Sequence, residues 1–336
     1  MPSSAFPLAE LHCHLEGTVR PALALELARG HGVDLSGIVD EAGRYRWSDF
    51  NEFLAAYDGM CAAAIRTPED YIAIALDYFA RAGGAGLRYG EVFVSPDHAA
   101  LHGISYSTFI DALASAFAEI EAKYGTVCRI VVTAVRHFSA ERAEAAARLA
   151  ERHPHPVVVG FGMAGDETYG RPADFAKAFA IAAGAGLGLT AHAGEIAGPE
   201  SVRAALDAFP ITRLGHGVRS HEEPALVEEI RARGIALELC PSSNLALGLY
   251  PSHDVHPVGA YARAGLKVTL NTDDAAFFGG DIAREYAEAA AAHGLSHADL
   301  LQITRNAYES AFCAPETKAK LLAALDQWAA AHAAGV

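Results

Sequence analysis

Along most of this chain, short apolar runs alternate with longer amphipathic stretches. The apolar runs fall at residues 8–14, 86–95, 127–136, 156–163, 187–192, 211–216, 235–240 and 266–271. Each is bounded by turn residues and reads as a buried strand. Helical spacing marks what lies between: 108–124, with Phe109, Leu113, Phe117 and Ile120 on one face, then 140–152, 172–185, 199–208, 224–233 and 257–264. Pro172, Pro199 and Pro224 each stand where a first helical turn tolerates proline. Apolar strands separated by helices pair in parallel, with both faces covered. Eight such units predict an α/β fold, a TIM-type (β/α)8 barrel. A doubly wound open sheet is the alternative, but no Gly-x-Gly-x-x-Gly follows the first strand.

The cadence is interrupted twice. After the first strand comes a helical insertion, about residues 20–85. Pro21 opens one helix; Ser48 and Asp49 offer a cap for another, on which Phe50, Phe53, Leu54 and Tyr57 share a face. That face is either core or the roof of a pocket, since the insertion leaves directly from the first strand. A third helix is predicted over 68–82, ended by Gly83-Gly84. Beyond the eighth strand the chain reads as helices to the C-terminus, with 329–336 as a fraying end. All 336 residues are expected to form one barrel domain, with 20–85 as its lid.

Composition narrows the partners. The chain carries 41 acidic and 26 basic residues, a formal charge of −15. That argues against nucleic acid or an anionic membrane as partner. No apolar run is long enough to span a bilayer. The five cysteines are widely spaced, without a Cys-x-x-Cys, so neither a disulfide framework nor a cysteine metal site is expected. The start lacks a basic region followed by an apolar core, so a reducing, cytoplasmic setting is the expectation.

The candidate chemistry sits at strand ends. His12 and His14 alternate on the first strand and point to one face. Alone, such a pair reads more readily as two core histidines. But His192 ends the fifth strand, His216 the sixth, and Asp273-Asp274 follow the eighth. In a barrel, these ends converge on one mouth. Three imidazoles and a carboxylate suit zinc better than magnesium or calcium, which prefer all-oxygen shells. Glu195, three residues past His192, could move a proton over such a site or simply begin a helix. His216 and Asp274 could orient a nucleophile or touch substrate. There is no His-Glu-x-x-His and no Pro-Cys-x-x-Cys. No lysine lies between Lys123 and Lys177 to bridge two metals, so a single metal ion is expected.

Six motifs occur together: Leu11-His12-Cys13-His14-Leu15-Glu16-Gly17, Met163-Ala164-Gly165-Asp166-Glu167, His192-Ala193-Gly194-Glu195, Gly215-His216-Gly217, Cys240-Pro241-Ser242-Ser243-Asn244 and Leu270-Asn271-Thr272-Asp273-Asp274. In order and content they resemble the adenosine deaminase family of the amidohydrolase superfamily, over nearly the whole chain. The resemblance implies one zinc ion held by His12, His14, His192 and Asp273. It implies Glu195 as the shuttle that protonates purine N1 and His216 as the group that positions the attacking hydroxide. Asp274 would hold N7, the Gly165 N–H would hold N3, and Phe50, Phe53, Leu54 and Tyr57 would form the apolar lid. The partner is then a small purine, and the setting purine salvage.

Two departures bear on the substrate. Glu16 stands where the nucleoside enzymes of this family usually carry Asp; Glu there is typical of its adenine deaminases. Gly162 also replaces a usual Asp. Against these, the strand 4 motif and the stretches 195–201 and 279–286 resemble adenosine enzymes. The expectation is therefore adenosine and 2′-deoxyadenosine deamination. Adenine, or a modified 6-aminopurine nucleoside, is the alternative, and a purine-binding protein without catalysis is a further one.

Overall fold

A computed structural model describes residues 5–332 of the chain. Its eight strands are β1 (Leu8–His14), β2 (Leu87–Val94), β3 (Val127–Val135), β4 (Val158–Ala164), β5 (Gly188–Ala193), β6 (Arg213–His216), β7 (Ala236–Leu239) and β8 (Lys267–Leu270). Each pairs in parallel with the next, in sequence order. β8 returns to β1 through a parallel bridge between Cys13 and Asp273, with His14 N–H donating to Asp273 O at 2.9 Å and Asp273 N–H to His12 O at 3.1 Å. The expected TIM-type barrel is therefore the fold, and its closure brings the residue after β8 beside the histidines of β1.

Helices Ala140–Arg152, Pro199–Ala208 and Pro224–Arg233 begin and end where the sequence pattern places them. β1 also matches, most other boundaries move by one to three residues, and the stretch expected as one helix over 172–185 is a 3-10 turn, Pro172–Phe175, followed by the α-helix Ala176–Gly184. One stop signal is overridden: the third inserted helix runs Pro68–Ala85, through Gly83-Gly84, and ends at Gly86 with φ +117°. Gly83 is needed inside the helix, because a Cβ there would lie 2.9 Å from both Tyr124 Cβ and Thr126 Oγ1. Close packing, not chain termination, explains that glycine. The capping signal holds: Asp49 accepts from Glu52 N–H at the start of helix Phe50–Ala64. Pro96–Ala100 and Pro241–Ala246 are short helices that the pattern did not mark. Residues 329–332 complete the helix Pro315–His332; the rest of the expected fraying end lies outside the described residues.

At the foot of the barrel Phe312 fills the opening. Gly160 and Gly188 make room for it, since a Cβ on Gly188 would stand 2.1 Å from the Phe312 ring. The opposite mouth, at the carboxyl ends of the strands, is covered by helix Phe50–Ala64. That one helix of the insertion thus lies over the end of the barrel where such folds keep their sites, while helix Pro68–Ala85 packs along the side against helix Tyr106–Tyr124. Among the described residues, no helix is long and apolar enough to cross a membrane.

Candidate active site

β1 delivers His12 and His14 to the mouth, β5 delivers His192, and the turn after β8 delivers Asp273 in a left-handed conformation, φ +61°. His216 at the end of β6 is also left-handed, φ +58°. Such strain in non-glycine residues persists only where the surroundings enforce it, and it gathers at functional sites. Here Glu10 accepts from Thr272 N–H at 2.8 Å, and Ser243 Oγ donates to Asp273 Oδ2 at 2.7 Å, so the turn is held on both sides.

The four donor atoms converge. His192 Nε2 lies 3.0 Å from His12 Nε2 and 3.2 Å from His14 Nε2; Asp273 Oδ1 lies 3.3 and 3.2 Å from those two. Ligands about 2.0–2.1 Å from a tetrahedral metal stand roughly 3.3–3.4 Å apart, so the spacing fits one ion. The far nitrogens decide the protonation. His12 Nδ1 lies 2.8 Å from Glu238 Oε2, and His192 Nδ1 lies 2.8 Å from the carbonyl oxygen of Met163. A neutral ring that donates from Nδ1 has a bare Nε2. Two bare nitrogens facing each other at 3.0 Å repel, and either a proton on one of them or a bound cation relieves this. The site fits a metal by this test.

Electrostatics agree. Burial disfavours charge on His12, yet the Asp273 and Glu238 carboxylates outweigh it and raise the group to about 9: the site wants positive charge. His192 is held far below the usual imidazole range, by burial first and then by charge on the other histidines. Glu195 is pushed well above the usual carboxylate range by burial, then by Asp273 and Glu167. Asp274 is pushed up likewise, by burial and then by Asp273, Glu195 and Glu16. Strongly shifted carboxyls in a cleft are the mark of an acid–base site. Glu195 Oε2 lies 3.5 Å from His216 Nε2, and that nitrogen has no hydrogen-bond partner among the described residues. Asp274 Oδ1 is also unpartnered. Gly17 is what allows Asp274 its place, since a Cβ there would stand 1.9 Å from Asp274 Oδ1.

One cavity, about 630 Å³ counting its open mouth, joins these groups. Its walls include His14, Glu16, His192, Gly165, Glu195, Asp273 and Asp274, and its roof is Phe50, Phe53, Leu54 and Tyr57. Of the candidate residues, His12 and His216 do not line it; they lie beneath, fully buried. The face shared by the four apolar roof residues is a pocket lining rather than plain core. Glu16 is buried in the side wall, with its carboxylate 3.3 Å from Ser95 N and 3.5 Å from Tyr57 Oη. Burial pushes its carboxyl up from the usual range.

Sequence reading gave two residues here no role. Glu167 is one. Its carboxylate accepts from the N–H groups of Gly194, Glu195, Ile196 and Ala197 and from Ser201 Oγ, so it shapes the loop carrying Glu195. Replacing Glu167 with glutamine is expected to lower stability by about 1.5–3 kcal/mol, because hydrogen bonds to a charged acceptor are lost. An unchanged urea midpoint would show that the loop does not depend on it. Glu238 was legible only as a lone acid in the apolar run 235–240, with nothing to reveal its bond to His12.

The family model described as "Adenosine deaminase" matches residues 7–328. The chain is 48% identical over 317 residues to a protein from Chelativorans sp. (strain BNC1) named adenine deaminase, covering 94% of this chain and 97% of that one. A protein of the same name from Agrobacterium fabrum is 45% identical, with the same coverage. Among solved structures, an adenine deaminase from Arthrobacter aurescens superposes with TM-score 0.89 at 29% identity, covering 96% of this chain and 99% of its own. An amidohydrolase from Burkhoderia ambifaria with bound Zn superposes with TM-score 0.87 at 26% identity, covering 98% and 93%. The barrel, the convergent His/Asp cluster and these matches over nearly the whole chain lead to one statement: this protein belongs to the adenosine deaminase family and is a hydrolytic deaminase of purines.

Proposed function

We propose that the protein is a zinc-dependent adenine deaminase, which converts adenine and water to hypoxanthine and ammonia. The observation that carries this reading is the 48% identity, over 94% of the chain, to a protein named adenine deaminase. Seven further relatives at 42–46% identity bear the same name. For adenosine the support is at the level of the family alone, so the substrate expected from the strand 4 motif gives way to the alternative.

His12, His14, His192 and Asp273 would hold one zinc ion. Bound there, zinc would lower the pKa of a water to about 7 and so supply a nucleophile for purine C6 at neutral pH. The remaining work belongs to the chain. Glu195, with its raised affinity for a proton, would take one from the water and hand it to N1. His216 would orient the attacking oxygen through its unpartnered Nε2. Asp274, whose neutral form burial favours, would donate to N7. The Gly165 N–H would face N3, and Phe50, Phe53, Leu54 and Tyr57 would cover the ring and exclude water. Glu16 makes chemical sense of the free base: a carboxylate in the side wall can accept from N9–H, which adenine has and adenosine lacks.

Two measurements test this. A panel of adenine, adenosine, 2′-deoxyadenosine and N6-methyladenine, followed by loss of the 6-amino chromophore, should show adenine as the substrate; faster turnover of adenosine would overturn the reading. For the metal, His192→Ala should lose most of its zinc by elemental analysis, since such sites need every ligand. Full occupancy in that variant would remove His192 from the ligand set.

A further inference from the structure

Directly beneath His12, a chain of charged side chains runs down the barrel axis. Glu238 Oε2 lies 2.8 Å from His12 Nδ1 and accepts from Thr190 Oγ1 at 3.0 Å. The other oxygen, Oε1, lies 2.5 Å from Arg213 Nε. Arg213 Nη1 donates to Glu91 Oε2 at 2.6 Å and to Ser310 O at 3.3 Å, and the guanidinium carbon sits 3.5 Å above the Phe312 ring. Glu91 Oε1 is tied in turn to Tyr89 Oη at 2.6 Å and to Phe312 N–H at 2.7 Å. The side chains of Arg213, Glu91 and Glu238 are wholly buried.

A buried ion pair is a poor stabiliser, because taking each ion from water costs several kcal/mol and apolar groups of the same volume often do better. This group is also unbalanced: two carboxylates share one guanidinium, leaving one negative charge. His12 is the next group in the chain, between Glu238 and the cluster of donor atoms. Such an arrangement is costly as mere packing and sensible beneath a cation.

We propose that Arg213 is a positioning residue for the metal centre. It clamps Glu238 between the foot of the barrel and His12, so that His12 keeps its proton on Nδ1 and presents a bare Nε2 to the metal. The planar guanidinium holds Glu91 and Glu238 along two edges while its face stacks on Phe312; a lysine ammonium is a point charge without that planar fork. The inference rests on His12 being a metal ligand and is independent of which purine is the substrate.

The test compares zinc affinity, by competition with a chromophoric chelator, in wild type, Arg213→Lys and the double variant Arg213→Met/Glu91→Gln. The double variant keeps the volume and the single surplus charge, and it leaves one carboxylate, Glu238, held by His12 and Thr190, where Arg213→Met alone would leave two without their cation. Either folded variant is expected to bind zinc about 10–100-fold more weakly, as loss of support behind a ligand does elsewhere. Its melting temperature without metal should stay near that of wild type. In ¹⁵N-histidine spectra, wild-type zinc protein should show an exchange-protected His12 Nδ1–H, broadened or lost in the variants. Wild-type zinc affinity in a folded variant would overturn the proposal, and so would absence of that proton signal in the wild type. Failure of the wild type itself to bind zinc would instead overturn the metal reading.

Discussion

Replacing Glu195 with glutamine is expected to leave fold and metal content intact and to lower deamination by about 10²–10⁴-fold or more. The substitution keeps the side chain's size and one acceptor oxygen, so packing in the loop shaped by Glu167 should survive. What it removes is the exchangeable proton. Burial first, and then the neighbouring Asp273 and Glu167, hold the Glu195 carboxyl well above its usual range, so it takes up a proton more readily than an exposed carboxylate. An amide can neither accept a proton from water nor pass one to N1. The loss should therefore fall on kcat, with KM little changed, because the missing interaction belongs to the transition state. Zinc content equal to wild type, by elemental analysis, separates this from damage to the metal site. Near-normal turnover in Glu195→Gln would move the proton shuttle to another group; His216 is the nearest candidate, its Nε2 lying 3.5 Å away.

Adenine is expected to exceed adenosine and 9-methyladenine as a substrate by about 10⁴-fold in kcat/KM. The cause is Glu16. Its carboxyl is buried, with one contact to Ser95 N at 3.3 Å and one to Tyr57 Oη at 3.5 Å, which leaves it short of donors. The N9–H of adenine would supply one. An N9 substituent would take that donor away and push carbon against the carboxylate, and a buried polar group left unpaired costs more than a missing contact. Glu16→Ala should then lower adenine turnover, shrink the preference for the free base and leave zinc in place. Glu16→Asp withdraws the carboxylate by one methylene and should raise activity on adenosine. If adenosine outpaces adenine in the wild type, the carboxylate serves the ribose 5′-hydroxyl instead.

Glu16 also shows where reading the chain stops. That the residue after His14-Leu15 is Glu rather than Asp is plain, and so is its place beyond a strand end. Which part of a purine it would meet is not plain, because Tyr57 and Ser95 in its wall come from 41 and 79 residues away. Gly83 makes the same point for the fold. As a local signal it ends a helix; in the barrel it lets helix Pro68–Ala85 pass close to Tyr124 and Thr126. Packing decided, and packing is not local.

By itself the sequence determined the eight-strand cadence, the helical insertion and the strand ends at which His12, His14, His192, His216 and Asp273 stand. These follow from hydrophobic periodicity and from histidine and carboxylate chemistry, both of which act over a few residues. Only the tertiary structure decided which atoms face one another. Closure of β8 onto β1 brings Asp273 within 3.3 Å of His12 across 261 positions of chain, and the barrel interior sets Glu238 behind His12 across 226. The physical reason is that burial removes water as a partner, so each polar group must find its complement wherever the fold brings one. The partners of each ring nitrogen and the carboxylates behind the His/Asp cluster are set by those distant encounters.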